Sequence, residues 1–281
     1  MRALLTWELG AGFGHLCGLG ALAHSLNDRG VEVVAALRSP HLGGDFFPAG
    51  TPLLQAPFWR KNTGWKHPPM SLAEVIGAHG FNTPAQLEPL IGAWRSLVGR
   101  VQPQIVVFDY APTAMVATRG LDMVRAFYSN SFFFPPALKP APGFKADAPE
   151  AELLRHERQV VSGANSAIKA FAVPPLTQFA DLFDLDLPLL RCFPEMDHYH
   201  RDNGLYVGSV FNSLNLSQAA PSWPQTGGPK RVFAYLHGAF PQVEGILRCL
   251  VASKSKVVAV VTDEHDLCDR VKAPNLVISR Q

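Results

Sequence analysis

The 281-residue chain lacks an excess of charge of either sign, with 25 basic against 23 acidic residues and a formal net charge of +2. Nucleic-acid binders normally carry a marked basic excess, so that class is set aside. Cysteine is scarce. Cys17, Cys192, Cys249 and Cys268 stand far apart and form no C-x-x-C pair. This argues against a zinc ribbon, another metal site of that kind, or a disulfide framework. Four isolated buried thiols in a reducing cytoplasm are expected instead. A membrane-spanning run is also missing. Residues 9–27 are free of Lys, Arg, Asp and Glu, but they contain Gly10, Gly12, Gly14, Gly18 and Gly20 together with His15 and His24. Glu8 precedes the stretch and no small-residue cleavage site follows, so neither a transmembrane helix nor a signal peptide is expected. With 47% hydrophobic and 17% charged residues, the composition is that of a folded globular protein.

The patterns that are present alternate between two periodicities. Residues 2–7 (RALLTW) read as a strand, the glycine cluster follows, and Leu16, Leu19, Leu22, Ala23 and Leu26 recur at helical spacing up to Gly30. Residues 31–37 (VEVVAAL) form an apolar β-branched run suited to a parallel strand buried on both faces. Residues 38–70 form a long irregular stretch. Ser71 with Glu74, and Thr83 with Pro84 and Gln86, resemble capping boxes. Further strands are predicted over 104–109 and 124–128, a proline-rich loop carries Phe132, Phe133 and Phe134, and a helix follows from about residue 150. The β-α alternation pauses at residues 209–229 and restarts with strands over 231–236, 256–262 and 275–279. The expected class is α/β, with two Rossmann-like doubly wound parallel-sheet domains. The division is residues 1–208, a linker over 209–229, and a partial second domain over 230–281. Three strands are half of such a sheet, so the second domain is expected to be incomplete, with an apolar edge open to a partner chain. The competing arrangement packs these last strands onto the first domain.

The glycine loop from Glu8 to His15 lies between a strand and a helix, where a doubly wound sheet places its ligand crevice. Gly12 and Gly14 allow close approach of a ligand to backbone at the start of that helix. The loop is not a dinucleotide fingerprint, because His15 stands where a third glycine is required. Arg38 after the second strand leaves a 2′-phosphate, and so an NADP-dependent oxidoreductase, as an alternative. His15 is placed to act as a general base at neutral pH, or else merely to cap its own helix. Asp109, at the end of another strand, faces the same crevice and would orient the imidazole, unless it simply caps the next helix. Phe58, Trp59, Trp65 and residues 132–134 lie in long loops where they line an acceptor pocket or pack as ordinary core. His198 and His200, read as neighbours on one face of a strand, are weak metal candidates because Arg201 would oppose a cation and no third ligand is fixed.

These segments together resemble glycosyltransferases of the two-Rossmann GT-B architecture, the UDP-glycosyltransferase family and more distantly the MurG-type transferases. The likeness rests on Gly12-Phe13-Gly14-His15, the helix LCGLGALAHSLNDRG, VEVVAALR, VVFDYAPTAMVA around Asp109, CFPEMDHYHRDNGLYVGSV and RVFAYLHGAF. The resemblance implies that His15 deprotonates an acceptor hydroxyl with support from Asp109. The oxygen then displaces a nucleoside diphosphate, UDP as the expected carrier, with inversion at the anomeric carbon. The donor would be held by Gly12, Gly14, His237 and Gly238, and the acceptor by Phe58, Trp59, Trp65, Asn130 and Phe132. No cofactor beyond the nucleotide sugar is implied. The family's glycine-rich donor signature does not occur in these 281 residues, so little or no transfer by this polypeptide is expected. A non-catalytic small-molecule or partner-binding protein is the alternative.

Overall fold

The computed structural model describes residues 1–59, 67–210, 221–238, 240–262 and 266–280. Trp65, residues 211–220 of the expected linker, and Ala239 lie outside the described residues, as does the side chain of Cys268. The chain divides into two compact units, Met1–Asn215 and Leu216–Gln281. The last strands therefore form a sheet of their own and are not part of the first one.

The first unit is built on β1 (Arg2–Trp7), α1 (Phe13–Asn27), β2 (Glu32–Leu37), β3 (Leu53–Gln55), α2 (Leu72–Ile76), α3 (Pro84–Val101), β4 (Ile105–Asp109), α4 (Pro112–Ala117), β5 (Val124–Ser129), α5 (Glu150–Ala167), β6 (Leu187–Leu190) and β7 (Leu205–Tyr206). Every strand pair is parallel, in the order β3-β2-β1-β4-β5-β6-β7. Pleating sends successive side chains to opposite faces. Leu4, Val34, Val106 and Phe108 pack with α3, α4 and α5 on one side. Leu5, Trp7, Val33, Leu37, Val107 and Ala126 pack with Leu16, Leu19 and Ala23 of α1 on the other. Coverage on both faces explains the continuous apolar runs of β1 and β2, whose residues are almost all buried.

Helix starts follow the local chemistry in part. The Ser71 hydroxyl accepts from the Glu74 N–H at 3.2 Å, while the Glu74 carboxylate reaches back to the N–H of Met70, one residue beyond the expected box. Pro84 opens α3, but the side chain of Thr83 makes no capping hydrogen bond. The second unit contains β8 (Arg231–His237), α6 (Val243–Ala252), β9 (Lys256–Thr262), α7 (Leu267–Arg270) and β10 (Leu276–Arg280), a parallel sheet in the order β10-β9-β8. Val243, Leu247, Ala259, Val261 and Leu267 form its core.

Two expectations need correction. Asp197 to Asp202 is not a strand. It is a turn in which His200 has a left-handed backbone, so the strand alternation that would put the two imidazoles on one face is absent. The His198 ring packs edge-on against Phe132 and Tyr199, and Asp197 pairs with Arg201 at 2.9 Å. Cys249 is exposed, whereas Cys192 is buried and Cys17 half-buried; all three are free thiols. Among the described residues, no helix is long and apolar enough to cross a membrane.

Candidate active site

Parallel strands in register bring their C-terminal ends to one edge of the sheet. Trp7 at the end of β1 lies beside Asp109 at the end of β4, and Ser129 at the end of β5 lies beside Leu190, the last residue of β6. The crevice of a doubly wound sheet opens at this edge. α1 starts here too. Gly12 occupies its cap with φ 87°, and no side chain satisfies the first-turn N–H groups. Gly12 and Gly14 are exposed, with open space where a Cβ would point. They leave the backbone at the helix start exposed.

His15, in that first turn, is 8% exposed and Asp109 is fully buried. The imidazole Nδ1 stands 2.9 Å from Asp109 Oδ1. The Ser129 hydroxyl donates a short hydrogen bond to the same oxygen. The ring is stacked on Trp7 with centroids 5.1 Å apart, and Tyr110 and Phe133 lie at 6.5 and 6.0 Å. An imidazole whose Nδ1–H is donated to a buried carboxylate has its tautomer set, and its Nε2 is left to accept a proton. Nε2 faces Gly10: a Cβ on that residue would fall 2.5 Å from it, at a backbone φ of 83°. Gly10 thus leaves Nε2 free of a side-chain clash.

The turn carrying Asp109 is strained and is fastened by a backbone hydrogen bond and a buried carboxyl. Tyr110 adopts a left-handed backbone with φ 49°, a region sparsely used by residues other than glycine. Its carbonyl accepts from the Leu9 N–H at 3.1 Å, which ties the β1 and β4 loops together. Glu8 strengthens the tie: its two carboxyl oxygens accept from the N–H groups of Ala114 at 2.6 Å and Thr113 at 3.1 Å, at the start of α4. Burial pushes the Glu8 carboxyl up to about 8, and the opposing hydrogen bonds from Ala114 and Thr113 offset only part of that rise. Burial likewise holds the Tyr110 phenol above its ordinary value.

The structure joins His15 and Asp109, which the sequence placed 94 positions apart. The remaining candidates are distributed differently. Asn130 uses its side chain to accept from the Phe132 N–H, and Phe132 packs on Phe144 and His198. The Arg38 guanidinium donates to the Glu8 carbonyl and lies 4.6 Å over the Phe58 ring, so it braces the protein's own loop where an NADP phosphate ligand had been considered. Trp59 packs near Gly80, and its indole N–H is buried with no hydrogen-bond partner among the described residues. His237 ends β8 in the second unit, and the Gly238 N–H donates to the Thr262 carbonyl. Sequence reading overlooked Glu8, Ser129 and Arg191 as parts of this site. The charge-free neighbourhood of Glu8 was its one visible signal; a lone Ser or Arg carries none.

No family model and no curated protein matches the chain. Among solved structures it is similar to SsfS6, a glycosyltransferase of Streptomyces sp. SF2575, with TM-score 0.58, 17% identity, and coverage of 100% of this chain and 71% of that one. SsfS6 has also been solved with thymidine diphosphate. The chain is similar as well to the glycosyltransferase VinC in complex with dTDP, with TM-score 0.64, 14% identity, and coverage of 99% and 71%. SnogD from Streptomyces nogalater gives TM-score 0.55, 14% identity, and coverage of 99% and 72%. What these comparisons share with the chain is architecture: its two parallel-sheet units have the fold of GT-B glycosyltransferases.

Proposed function

We propose that this chain is a glycosyltransferase that moves a sugar from a nucleoside-diphosphate donor to an acceptor hydroxyl, with His15 as general base. The observation that carries the reading is the buried His15–Asp109 pair at the C-terminal edge of the first sheet. Asp109 orients the ring and balances the charge that develops when Nε2 takes the acceptor proton. The acceptor oxygen then attacks the anomeric carbon, the C–O bond to the diphosphate breaks, and the configuration inverts. Phe58, Trp59, Trp65, Asn130 and Phe132 are the proposed acceptor side. Gly12 and Gly14 at the start of α1, with His237 and Gly238 after β8, are the proposed contacts to a UDP- or TDP-linked donor. The thymidine diphosphate bound by SsfS6 and VinC supports that choice of donor class. The proposed donor contacts in the second unit lie at the βα turn between β8 and α6, at His237 and Gly238.

The test is transfer to a panel of hydroxyl acceptors from UDP- and TDP-sugars, followed by mass spectrometry. His15→Ala is expected to lower the rate by about 100-fold or more. Equal product formation by His15→Ala would remove the base assignment. If the unaltered chain forms no product and calorimetry detects no UDP or TDP binding, the transferase reading itself fails.

A further inference from the structure

We propose that Arg191 is a positioning residue that keeps Nε2 of His15 free of a proton by neutralising the buried Asp109 carboxylate. The inference rests on His15 acting as a base, but its readout does not depend on transfer. Arg191 directly follows β6, and its N–H donates to the Ser129 carbonyl at 2.7 Å. That bond aims the side chain across the ends of β5 and β4. Its Nη2 lies 3.5 Å from Asp109 Oδ2, the guanidinium carbon lies 5.4 Å over the Tyr128 ring, and the side chain is 11% exposed. The space it fills exists because residue 18 of α1 is glycine: a Cβ there would fall 0.8 Å from Arg191 Nη1. Gly18 is one helical turn beyond His15, so the base and the arginine are placed by the same helix face.

The division of labour on Asp109 is the second observation. Oδ1 takes both hydrogen bonds, from His15 and Ser129. Oδ2 is buried with no hydrogen bond among the described residues, and the arginine is the cation that faces it. A carboxylate with no exposure is costly unless its charge is balanced. Two groups can balance it, Arg191 or a protonated His15. The other titratable groups around the ring carry no compensating charge. Burial raises the phenols of Tyr110 and Tyr128 and the thiol of Cys17, so they stay protonated and neutral. Glu8 turns its carboxyl to the α4 N–H groups. Trp7 and Phe133 offer ring faces only.

With the arginine in place, anionic Asp109 and cationic Arg191 cancel, and His15 stays neutral with its proton on Nδ1. Without it the site recovers neutrality by binding one proton. That proton makes His15 an imidazolium, or it resides on Asp109, whose O–H then donates to Nδ1. A neutral ring that accepts at Nδ1 must carry its hydrogen on Nε2. In both cases Nε2 is protonated and is no longer a base.

The test is a long-range proton–nitrogen correlation spectrum of the full-length, nitrogen-15-labelled protein at neutral pH, with the His15 ring assigned by its loss in His15→Gln. The unaltered protein should show a bare Nε2 and a protonated Nδ1. Arg191→Met should move the Nε2 resonance from the bare to the N–H position, and Arg191→Lys should move it back. Arg191→Gln, which keeps a polar side chain but no charge, should shift Nε2 as Arg191→Met does, which a purely structural role would not require. A folded Arg191→Met protein with Nε2 still bare overturns the proposal. If Arg191→Met does not fold, the Nε2 position in Arg191→Gln decides between the same two outcomes. If neither folds, Arg191 is a packing group for the Gly18 hollow and the proposal falls. Absence of both transfer and UDP or TDP binding would overturn the reading of the previous section and leave these spectra unaffected.

Discussion

The two sheets are both parallel, yet they treat their side chains differently. In β1 and β4 nearly every residue is buried, because helices cover the first sheet on both faces. In β8 exposed and half-buried residues alternate, and Phe233 and Tyr235 are each 60% exposed. α6 packs on the other face, where Ala234 and Leu236 meet Val243 and Leu247. An apolar strand therefore means two different things in this chain. In the first unit the apolar residues are the core that sets the strand edge carrying the His15–Asp109 pair. In β8 the alternate ones, Phe233 and Tyr235, stand largely exposed on the face away from α6. The difference also places the chemistry. The buried carboxyls among the described residues, Glu8, Asp109, Glu157 and Asp197, all lie in the first unit, where each has polar partners.

Substitutions can break this contrast. The largest effect is expected for Phe108→Ala in β4, whose ring is fully buried. The loss should be about 3–5 kcal/mol in urea unfolding of the first unit, followed through Trp7 and Trp94. A loss below 1 kcal/mol would mean that the first sheet is not the tightly packed element.

The next largest concerns pH. Glu8 holds its proton in the folded state up to about 8, well above the ordinary glutamate value. The folded chain thus binds a proton that the unfolded chain releases near 4.5, and stability falls as pH rises between those values. The decline should reach up to about 4 kcal/mol across the window. Glu8→Gln should flatten it, and an unchanged slope in that variant would assign the titration elsewhere. Half-buried Glu244 in the second unit behaves oppositely: the Arg248 side chain bonded to it holds its carboxyl below the usual range. The smallest effect is expected for Phe233→Ser in β8. Stability should stay within about 0.5 kcal/mol, read from the Trp223 signal. A larger loss would show that this face is covered in solution.

Much of the first unit was legible in the chain, for identifiable reasons. Strands β1, β2 and β4 are apolar, β-branched runs flanked by turn residues, and a strand buried on both faces leaves that trace. Strands β3, β6 and β7 left almost none. They are three, four and two residues long, β6 contains Pro188, and no periodicity can show over such lengths. The run 197–202 misled because alternating His residues imitate a strand; the Asp197–Arg201 pair and a left-handed His200 make it a turn.

The sequence by itself determined that a glycine loop separates the first strand from the first helix, that His15 opens that helix, and that an aspartate ends a later strand. These are local facts, set by residue type and short spacing. Only the tertiary structure decided that the Asp109 carboxylate meets three partners, His15, Ser129 and Arg191, and that Glu8 reaches the start of α4. Residues 15, 109, 129 and 191 lie on α1, β4, β5 and just beyond β6. Parallel register aligns the ends of those strands whatever the length of chain between them, so the partners of a buried charge are chosen by sheet order and not by distance along the sequence.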